Sequence, residues 1–194
     1  MTSQRWAEMS NNYKDEGDTA VLVIKRRDGT VLEVLIDSVD LPRVQSFPGV
    51  WMACWDKTVG AFRVNGTTRK RSGMGRTRVC LSRFLMDAPE GLEVDHINHN
   101  PLDNRRCNLR VVSKSGNQQN RQGAEACSGS GIRGVSWCKR TGKWRAHIKV
   151  NGKKRSFGYF SNIADAEKAV IAARAAHMPY SAEAFAHAVG EGCE

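Results

Sequence analysis

Short apolar runs alternate with polar positions in the first part of the chain and predict β-strands. The runs at residues 19–24 and 31–36 flank Asp28-Gly29. An Asp-Gly dipeptide between two β-branched runs predicts a hairpin. A second pair of strands is predicted at residues 50–55 and 60–64.

The pattern then changes to a strand, a loop, a second strand and a helix. Residues 78–86 predict a strand that passes into a short helix, and residues 92–95 alternate apolar with acidic positions. A polar, proline-containing loop is predicted at 98–106. A second apolar run at 109–112 precedes Ser113, which can cap a helix to about residue 121.

Beyond a Gly- and Ser-rich segment at 122–131, the pattern predicts a separate module. Three strands are predicted over residues 132–160, and Asn151-Gly152 is the preferred dipeptide for the second hairpin turn. The middle strand alternates apolar with cationic positions, so one face is apolar and the other is positively charged. Ser161 or Asn162 can cap a helix that covers the apolar face.

These elements predict an α+β protein: a small antiparallel sheet with a ββα motif, then a three-stranded antiparallel sheet packed on one helix. The predicted divisions are a disordered N-terminus at 1–18, a first domain at 19–121, a linker at 122–131, a second domain at 132–178 and a tail at 179–194.

The charge of the chain favours a polyanionic partner. The 194 residues include 30 Lys and Arg against 20 Asp and Glu, a net charge of +10. Nucleic acid and anionic membrane both attract such a protein. The chain has no long apolar run and no apolar signal-peptide core, so we expect an intracellular protein without membrane contact. The sequence shows no sign of an obligate protein partner.

The six cysteines are scattered and include no Cys-x-x-Cys pair. A structural zinc site or a disulfide framework is therefore not expected, and we predict free thiols.

The strand–loop–strand–helix segment carries candidate chemistry. Asp95 and Asn117 can supply oxygen ligands on the same side of the unit, a set that suits Mg²⁺ or Mn²⁺. His96 can remove a proton from an attacking water, since imidazole titrates near neutral pH. Asn108 can hold the imidazole tautomer or pin the loop. Metal, base and fixed geometry are what phosphodiester hydrolysis needs.

The segment from Asp95-His96 through the Asn-rich loop, Asn108-Leu109-Arg110 and Asn117 resembles the HNH motif of the ββα-metal nucleases, in the form found in phage homing enzymes. The resemblance implies that Asp95 and Asn117 are metal ligands, that His96 is the general base and that Asn108 orients it. Ser82 departs from the pattern because relatives usually have a histidine there, and this puts full activity in doubt.

The second module resembles the plant ethylene-response-factor (Apetala-type) DNA-binding domain, through Arg-Gly-Val, Gly-Lys-Trp, an alternating strand and Gly-x-Phe before an Ala-rich helix. The resemblance implies DNA contacts by five residues: Arg133, His147, Lys149, Lys154 and Ser156. Arg145 lies on the same face of the strand and is predicted to contact DNA with them. Two of them, His147 and Ser156, replace an acidic and an aromatic residue, so a sequence preference does not transfer.

A run of basic residues among glycines precedes the nuclease-like motif and can contact phosphates. Its members are Arg69, Lys70, Arg71, Arg76 and Arg78. A solvated loop without a partner is the alternative.

Together the modules predict a metal-dependent, homing-type endonuclease that nicks double-stranded DNA in the bacterial host cytoplasm and is encoded by a phage or mobile element. One alternative is a DNA-binding regulator in which the nuclease fold survives as a scaffold, an idea that Ser82 favours. An RNA-binding protein is a weaker alternative, because the chain lacks the aromatic sheet signature of common RNA modules.

Overall fold

The computed structural model describes residues 11–69, 75–121, 123–124, 128–150 and 152–190. Contacts between residues divide the chain into two compact units, Met1–Ser113 and Lys114–Glu194. This division lies eight residues before the boundary that the sequence predicts at residue 121, which stays a prediction. The helix that follows Ser113 groups with the second module instead of the first.

The first unit begins with a three-stranded antiparallel sheet in the order β1-β2-β3. Its strands are β1 (Asn12–Glu16), β2 (Thr19–Lys25) and β3 (Val31–Asp37). The predicted hairpin at Asp28-Gly29 is confirmed: Gly29 has φ +84° and donates from its backbone N to the carbonyl of Arg26 at 3.0 Å. The prediction of disorder up to residue 18 is wrong for β1, which pairs along β2.

A second antiparallel sheet follows a 3-10 helix (Ser38–Asp40) and the short helix α1 (Leu41–Gln45). Its strands are β4 (Val50–Asp56), β5 (Ala61–Arg69) and β6 (Arg76–Cys80), in that order. The expected loop at residues 69–78 is in part a ladder, because Arg69 pairs with Arg76.

The core of the first unit is built from both sheets and an aromatic cluster. Trp51 is 1 % exposed, stacks on Phe47 with ring centroids 4.2 Å apart and lies 5.4 Å from the ring of Phe84. Gly66 of β5 is required here: a Cβ atom would lie 2.4 Å from Phe47 and 2.9 Å from Trp51. The absence of a side chain lets the rings lie directly on the strand.

Helix α2 (Leu81–Met86) and the hairpin of β7 (Glu93–His96) and β8 (Leu109–Val112) complete the first unit. A 3-10 turn (Arg106–Asn108) leads into β8. The predicted strand, loop and strand are confirmed here, as is the strand-to-helix passage at residues 78–86.

The second unit begins with helix α3 (Lys114–Gln119), the helix predicted after Ser113. The predicted three-stranded sheet on one helix is observed, with α4 packed on the sheet and capped by Asn162 Oδ1, which accepts from Ala164 N at 2.9 Å. The elements are β9 (Val135–Cys138), β10 (Lys143–Val150), β11 (Lys153–Phe160), α4 (Ile163–His177) and α5 (Ala182–Gly190). The predicted tail is in part α5, which packs against α4.

The protein is a mixed α and β structure with several small antiparallel sheets, as the sequence predicted. Free thiols are confirmed at Cys54, Cys80, Cys107 and Cys138. Within the described residues, no helix has the length and apolar character needed to cross a membrane.

Candidate active site and nucleic-acid interface

Asp95 and His96 lie at the end of β7, opposite Arg110 and Leu109 of β8. Asp95 is only 7 % exposed. Arg110 donates to Asp95 Oδ2 from Nε at 2.9 Å and from Nη2 at 2.7 Å. A buried carboxylate is tolerated when it is paired in this way. The acid and the histidine are therefore at the end of a short strand, as the sequence predicted.

Asn104 contacts the imidazole of His96. Asn104 Oδ1 lies 3.3 Å from His96 Nε2, and Asn104 Nδ2 donates to the carbonyl of Pro101 at 3.1 Å. Because a carbonyl can only accept, the second bond orients the amide with its oxygen toward the ring. His96 Nε2 must then carry the proton, and the lone pair of the neutral ring is on Nδ1.

The surroundings of His96 favour this neutral form. Burial lowers the pKa of His96 below the usual imidazole value, the bond to Asn104 opposes the shift, and the positive charge of Arg63 lowers the pKa further. A neutral imidazole near physiological pH is the form that accepts a proton in general base catalysis.

Asn108 pins residues 97–105, here called the site loop. Its Nδ2 donates to the carbonyl of Asp103 at 2.7 Å, and its Oδ1 accepts from the backbone N of Asn98 at 2.9 Å. The side chain thus joins the two ends of the loop, the second of the two roles that the sequence left open. The bond to the His96 ring comes from Asn104, which is 1 % exposed.

The site loop lies along the edge of β3. Leu35 N donates to the carbonyl of Leu102 at 2.8 Å, and Asn104 N donates to the carbonyl of Leu35 at 2.7 Å. The first sheet therefore fixes the backbone of the residue that contacts His96.

Ion pairs between arginines and buried carboxylates reinforce the loop. Asp103, 3 % exposed, accepts from Arg105 Nε and Nη2, both at 2.8 Å. Just beyond the loop, Arg106 donates to both carboxylate oxygens of Asp40, at 2.8 and 2.7 Å. Bidentate pairs of this kind fix geometry as well as charge.

Asn117, the second predicted metal ligand, lies on α3 and is half-buried. It belongs to the second unit, whereas Asp95, His96 and Asn108 belong to the first. The joint role of Asp95 and Asn117 remains a prediction.

Ser82, the departure from the nuclease pattern, lies in the first turn of α2. It is 2 % exposed, and its Oγ is 3.3 Å from the Sγ of Cys80. A histidine at this position would have to displace packed neighbours, so the surrounding core is adapted to the smaller residue.

The two predicted metal ligands, Asp95 and Asn117, are oxygen donors of the kind that a hard divalent cation prefers. The described residues contain no cluster of three or more His, Cys, Asp or Glu side chains. The predicted set has one carboxylate and one amide, and oxygen ligands completed by water and phosphate are typical of Mg²⁺. Both bonds from Arg110 end on Oδ2 of Asp95, so this guanidinium neutralises the carboxylate and also orients it.

Most of the predicted DNA contacts lie on the exposed face of the sheet formed by β9, β10 and β11. Register places Arg145, His147 and Lys149 of β10 opposite residues of β11, with His147 opposite Ser156 and Lys149 opposite Lys154. Arg145 Nε donates to Ser156 Oγ at 3.2 Å. These five residues, here called the cationic face, therefore share one side of the sheet. Burial, and next the charge of Lys154, lowers the pKa of His147.

Arg133 differs from the other predicted DNA contacts. Its guanidinium donates to the backbone carbonyls of Gln118, Gln119 and Arg121, at the end of α3. The sequence resemblance gave no indication of this structural role.

Only part of the predicted phosphate-binding run can be placed. Arg76 and Arg78 are exposed on β6, and Arg78 Nη2 is 3.6 Å from Cys54 Sγ. Arg69 is in β5, while Lys70 and Arg71 lie outside the described residues.

Sequence analysis missed Asn104 and Arg110 as members of the site. Arg110 was detectable, because the β7–β8 pairing places it directly opposite Asp95. Asn104 gave no such signal, since its position depends on the docking of the loop against β3.

The segment that carries the predicted site residues is similar to a known family. Residues 87–119 match a family model described as HNH endonuclease. The matched segment contains Asp95, His96, Asn108 and Asn117, and it covers both strands of the hairpin and α3.

The chain is also similar to protein 3.8 of Escherichia phage T7, with 35 % identity over 69 residues. The match covers 36 % of this chain and 56 % of the phage protein, so the chain spans about half the length of this relative. No solved structure gives a significant match.

Proposed function

We propose that this protein is a metal-dependent endonuclease of the homing type that hydrolyses phosphodiester bonds in double-stranded DNA. The observation that carries the proposal is the half-buried His96, held by Asn104 in one tautomer beside the buried Asp95, within the segment that matches the HNH endonuclease model. A single such centre cuts one strand per event, so the expected product is a nick.

His96 is the general base in this proposal. Nε2 is tied to Asn104, so the Nδ1 lone pair accepts the proton of the attacking water. The lowered pKa keeps the imidazole in its neutral form near neutral pH, and this is the form that accepts a proton. Asn108 acts indirectly, because it holds together the loop that supplies Asn104.

Asp95 and Asn117 are the proposed ligands of Mg²⁺ or Mn²⁺. The bound cation would supply charge stabilisation for the phosphoryl oxygens during hydrolysis. Arg110 orients the Asp95 carboxylate through two contacts to Oδ2.

Targeting is assigned to the second unit. Its cationic face combines Arg145, Lys149 and Lys154 with the hydrogen-bonding groups of His147 and Ser156. A narrow antiparallel sheet fits the major groove of B-form DNA. The resemblance to the ethylene-response-factor domain supports this role.

The test is conversion of supercoiled plasmid to nicked circles by the full chain with Mg²⁺ or Mn²⁺. His96→Ala should abolish nicking and leave plasmid binding unchanged. His177→Ala is the matched control, because His177 is an exposed histidine at the end of α4. Equal loss of cleavage and binding in His96→Ala would contradict the assigned role.

The regulator alternative retains one supporting observation, the buried Ser82 in place of the histidine of relatives. It predicts salt-sensitive binding of DNA without cleavage in either metal. Cleavage by the wild-type protein that depends on both metal and His96 would eliminate it.

A further inference from the structure

Helix α3, which carries Asn117, is too short to be stable by itself. It spans six residues, Lys114–Gln119. Isolated helices shorter than about 12 residues are marginal in water. The last carbonyls of any helix also lack partners within the helix. The position of Asn117 therefore depends on what holds α3 from outside.

Arg133 supplies that support. Its Nη1 donates to the carbonyl of Gln119 at 3.1 Å and also to that of Arg121, and its Nη2 donates to the carbonyl of Gln118 at 3.0 Å. A cation at the carbonyl end of a helix is favourable, and a guanidinium can donate to several carbonyls at once. A neighbouring contact, from Tyr180 N to Gln119 Oε1 at 3.3 Å, joins the same turn to the segment before α5.

Arg133 is itself held in place by helices α4 and α5. Arg174 of α4 donates from Nη1 to the carbonyl of Arg133 at 2.9 Å. Arg174 is 8 % exposed and is paired with Glu183 of α5, with Nε and Nη2 at 2.7 and 2.6 Å from Oε1. A chain of bonded groups therefore runs from α5 through α4 to the end of α3.

The backbone next to Arg133 is fixed on the sheet as well. Gly134 has φ +85°, and its carbonyl accepts from His147 N at 2.8 Å. A Cβ atom on Gly134 would lie 2.6 Å from both the carbonyl oxygen of His147 and Val170 Cγ2. This close approach ties Arg133 to β10, the strand that carries three residues of the cationic face.

We propose that Arg133 is a positioning residue that sets α3, and with it Asn117, in a fixed place relative to the DNA-binding sheet. The inference rests on the proposed function for the role of Asn117 as a metal ligand. Recognition and hydrolysis are then joined by a structural connection at Arg133. In this proposal Arg133 positions α3 and does not contact DNA.

A cleft within the second unit agrees with this arrangement. It has a volume of about 960 Å³ and is lined both by α3, through Ser115 and Gln118, and by the cationic face, through His147, Lys149 and Lys154. Arg133 also lines the cleft. Moving α3 would therefore change the surface beside the residues that read DNA.

The first experiment is amide hydrogen exchange on full-length Arg133→Met, Arg133→Lys and Arg145→Met. Arg145 is the matched control, because it is a cation of the same module whose guanidinium bonds to Ser156 on the sheet. Arg133→Met should lose protection over residues 114–121 and keep protection over 143–160. Arg133→Lys should retain part of it, since an ammonium can still donate to carbonyls. Unchanged protection of α3 in Arg133→Met would overturn the proposal.

The second experiment measures Mn²⁺ binding by electron paramagnetic resonance without DNA, and plasmid binding in the presence of a chelator. Loss of a group that orients a ligand typically weakens metal binding about tenfold or more, so Arg133→Met should show this loss with unchanged DNA affinity. Arg145→Met should show the reverse. Weakened DNA binding in Arg133→Met with normal Mn²⁺ binding would instead identify a DNA contact. Wild-type protein that binds no Mn²⁺ and makes no nick would refute the proposed function, while the exchange experiment would still decide the role of Arg133 in holding α3.

Discussion

Neutral amide side chains, more than charged ones, orient His96 and the loop beside it. Asn104 fixes the tautomer, and Asn108 fixes the loop that carries Asn104. An amide orients the ring without stabilising the protonated form as strongly as a carboxylate does. An asparagine at position 104 therefore orients the His96 ring and leaves it neutral.

Replacing Asn104 with Asp should change this balance. A carboxylate beside Nε2 stabilises the imidazolium form, so the pKa of His96 should rise. The acid side of the pH profile for nicking should move to higher pH by the same amount, measured under single-turnover conditions. The bond from Asn104 Nδ2 to Pro101 is lost, at a cost of about 1–3 kcal/mol in the free energy of unfolding.

Asn100→Asp is the control for this variant. Asn100 is exposed in the same loop, and its Oδ1 accepts from Leu102 N, a bond that aspartate preserves. An equal shift in both variants would indicate a general charge effect and would count against a specific contact between residue 104 and His96.

The wild-type protein should remain active at pH values where a free imidazole is largely protonated. Burial lowers the pKa of His96, so the proton is lost at a lower pH than from an exposed imidazole, whose pKa is about 6.5. The nicking rate should therefore reach half of its plateau below that value as the pH is raised. A midpoint well above it would show that another group limits the reaction.

At the scale of secondary structure, the sheet of β4, β5 and β6 depends on a close approach between β5 and the cluster of Phe47 and Trp51. Gly66→Ala would place a methyl group 2.4 Å from the ring of Phe47 and 2.9 Å from that of Trp51. Overpacking of a core typically costs about 1–3 kcal/mol. We expect a lower melting temperature, and circular dichroism is the measurement that checks it.

Gly129→Ala is a suitable control, because a Cβ atom at Gly129 meets nothing within 4 Å. An unchanged melting temperature in both variants would show that the rings can move aside. A drop in both would point to a general loss of backbone freedom at glycine, contrary to the packing argument.

Elements with local signals were predictable from the sequence. The Asp28-Gly29 hairpin, the β7–β8 hairpin and the Asn162 cap are each specified by residues close in the chain. The strand β1 was missed because its polar residues give no apolar alternation, and it exists by pairing with β2. The bond from Arg133 to Gln119, which is 14 residues earlier, has no local signal and was not predicted.

The candidate site divides in the same way. Asp95, His96 and Asn108 follow from the motif, and the structure places them around one hairpin. Asn104 could not be identified, because its role arises from pairing between the site loop and Leu35, far earlier in the chain. Long-range docking has no local sequence signature.

At the scale of the whole molecule, the net charge of +10 should make DNA binding strongly dependent on salt. Lys149 is exposed on the cationic face. Lys149→Gln should weaken binding to all sequences and reduce the slope of log affinity against log salt by about one. The measurement is a fluorescence anisotropy titration at several salt concentrations.

Lys168→Gln is the control for total charge, because Lys168 is an exposed lysine on α4. The same change of slope in both variants would mean that overall charge governs binding, and the cationic face would lose its special role.

The docking of the site loop on the first sheet has a consequence for biosynthesis. Arg106 bonds to Asp37 and Asp40, which precede it by 69 and 66 residues. Because translation proceeds from the N-terminus, the partners of the loop leave the ribosome long before the loop itself. The sheet can thus serve as a template on which the loop folds. A nascent chain that stops before residue 106 has these partners in place while the proposed hydrolytic centre is unassembled, so we expect partial translation products not to cut DNA.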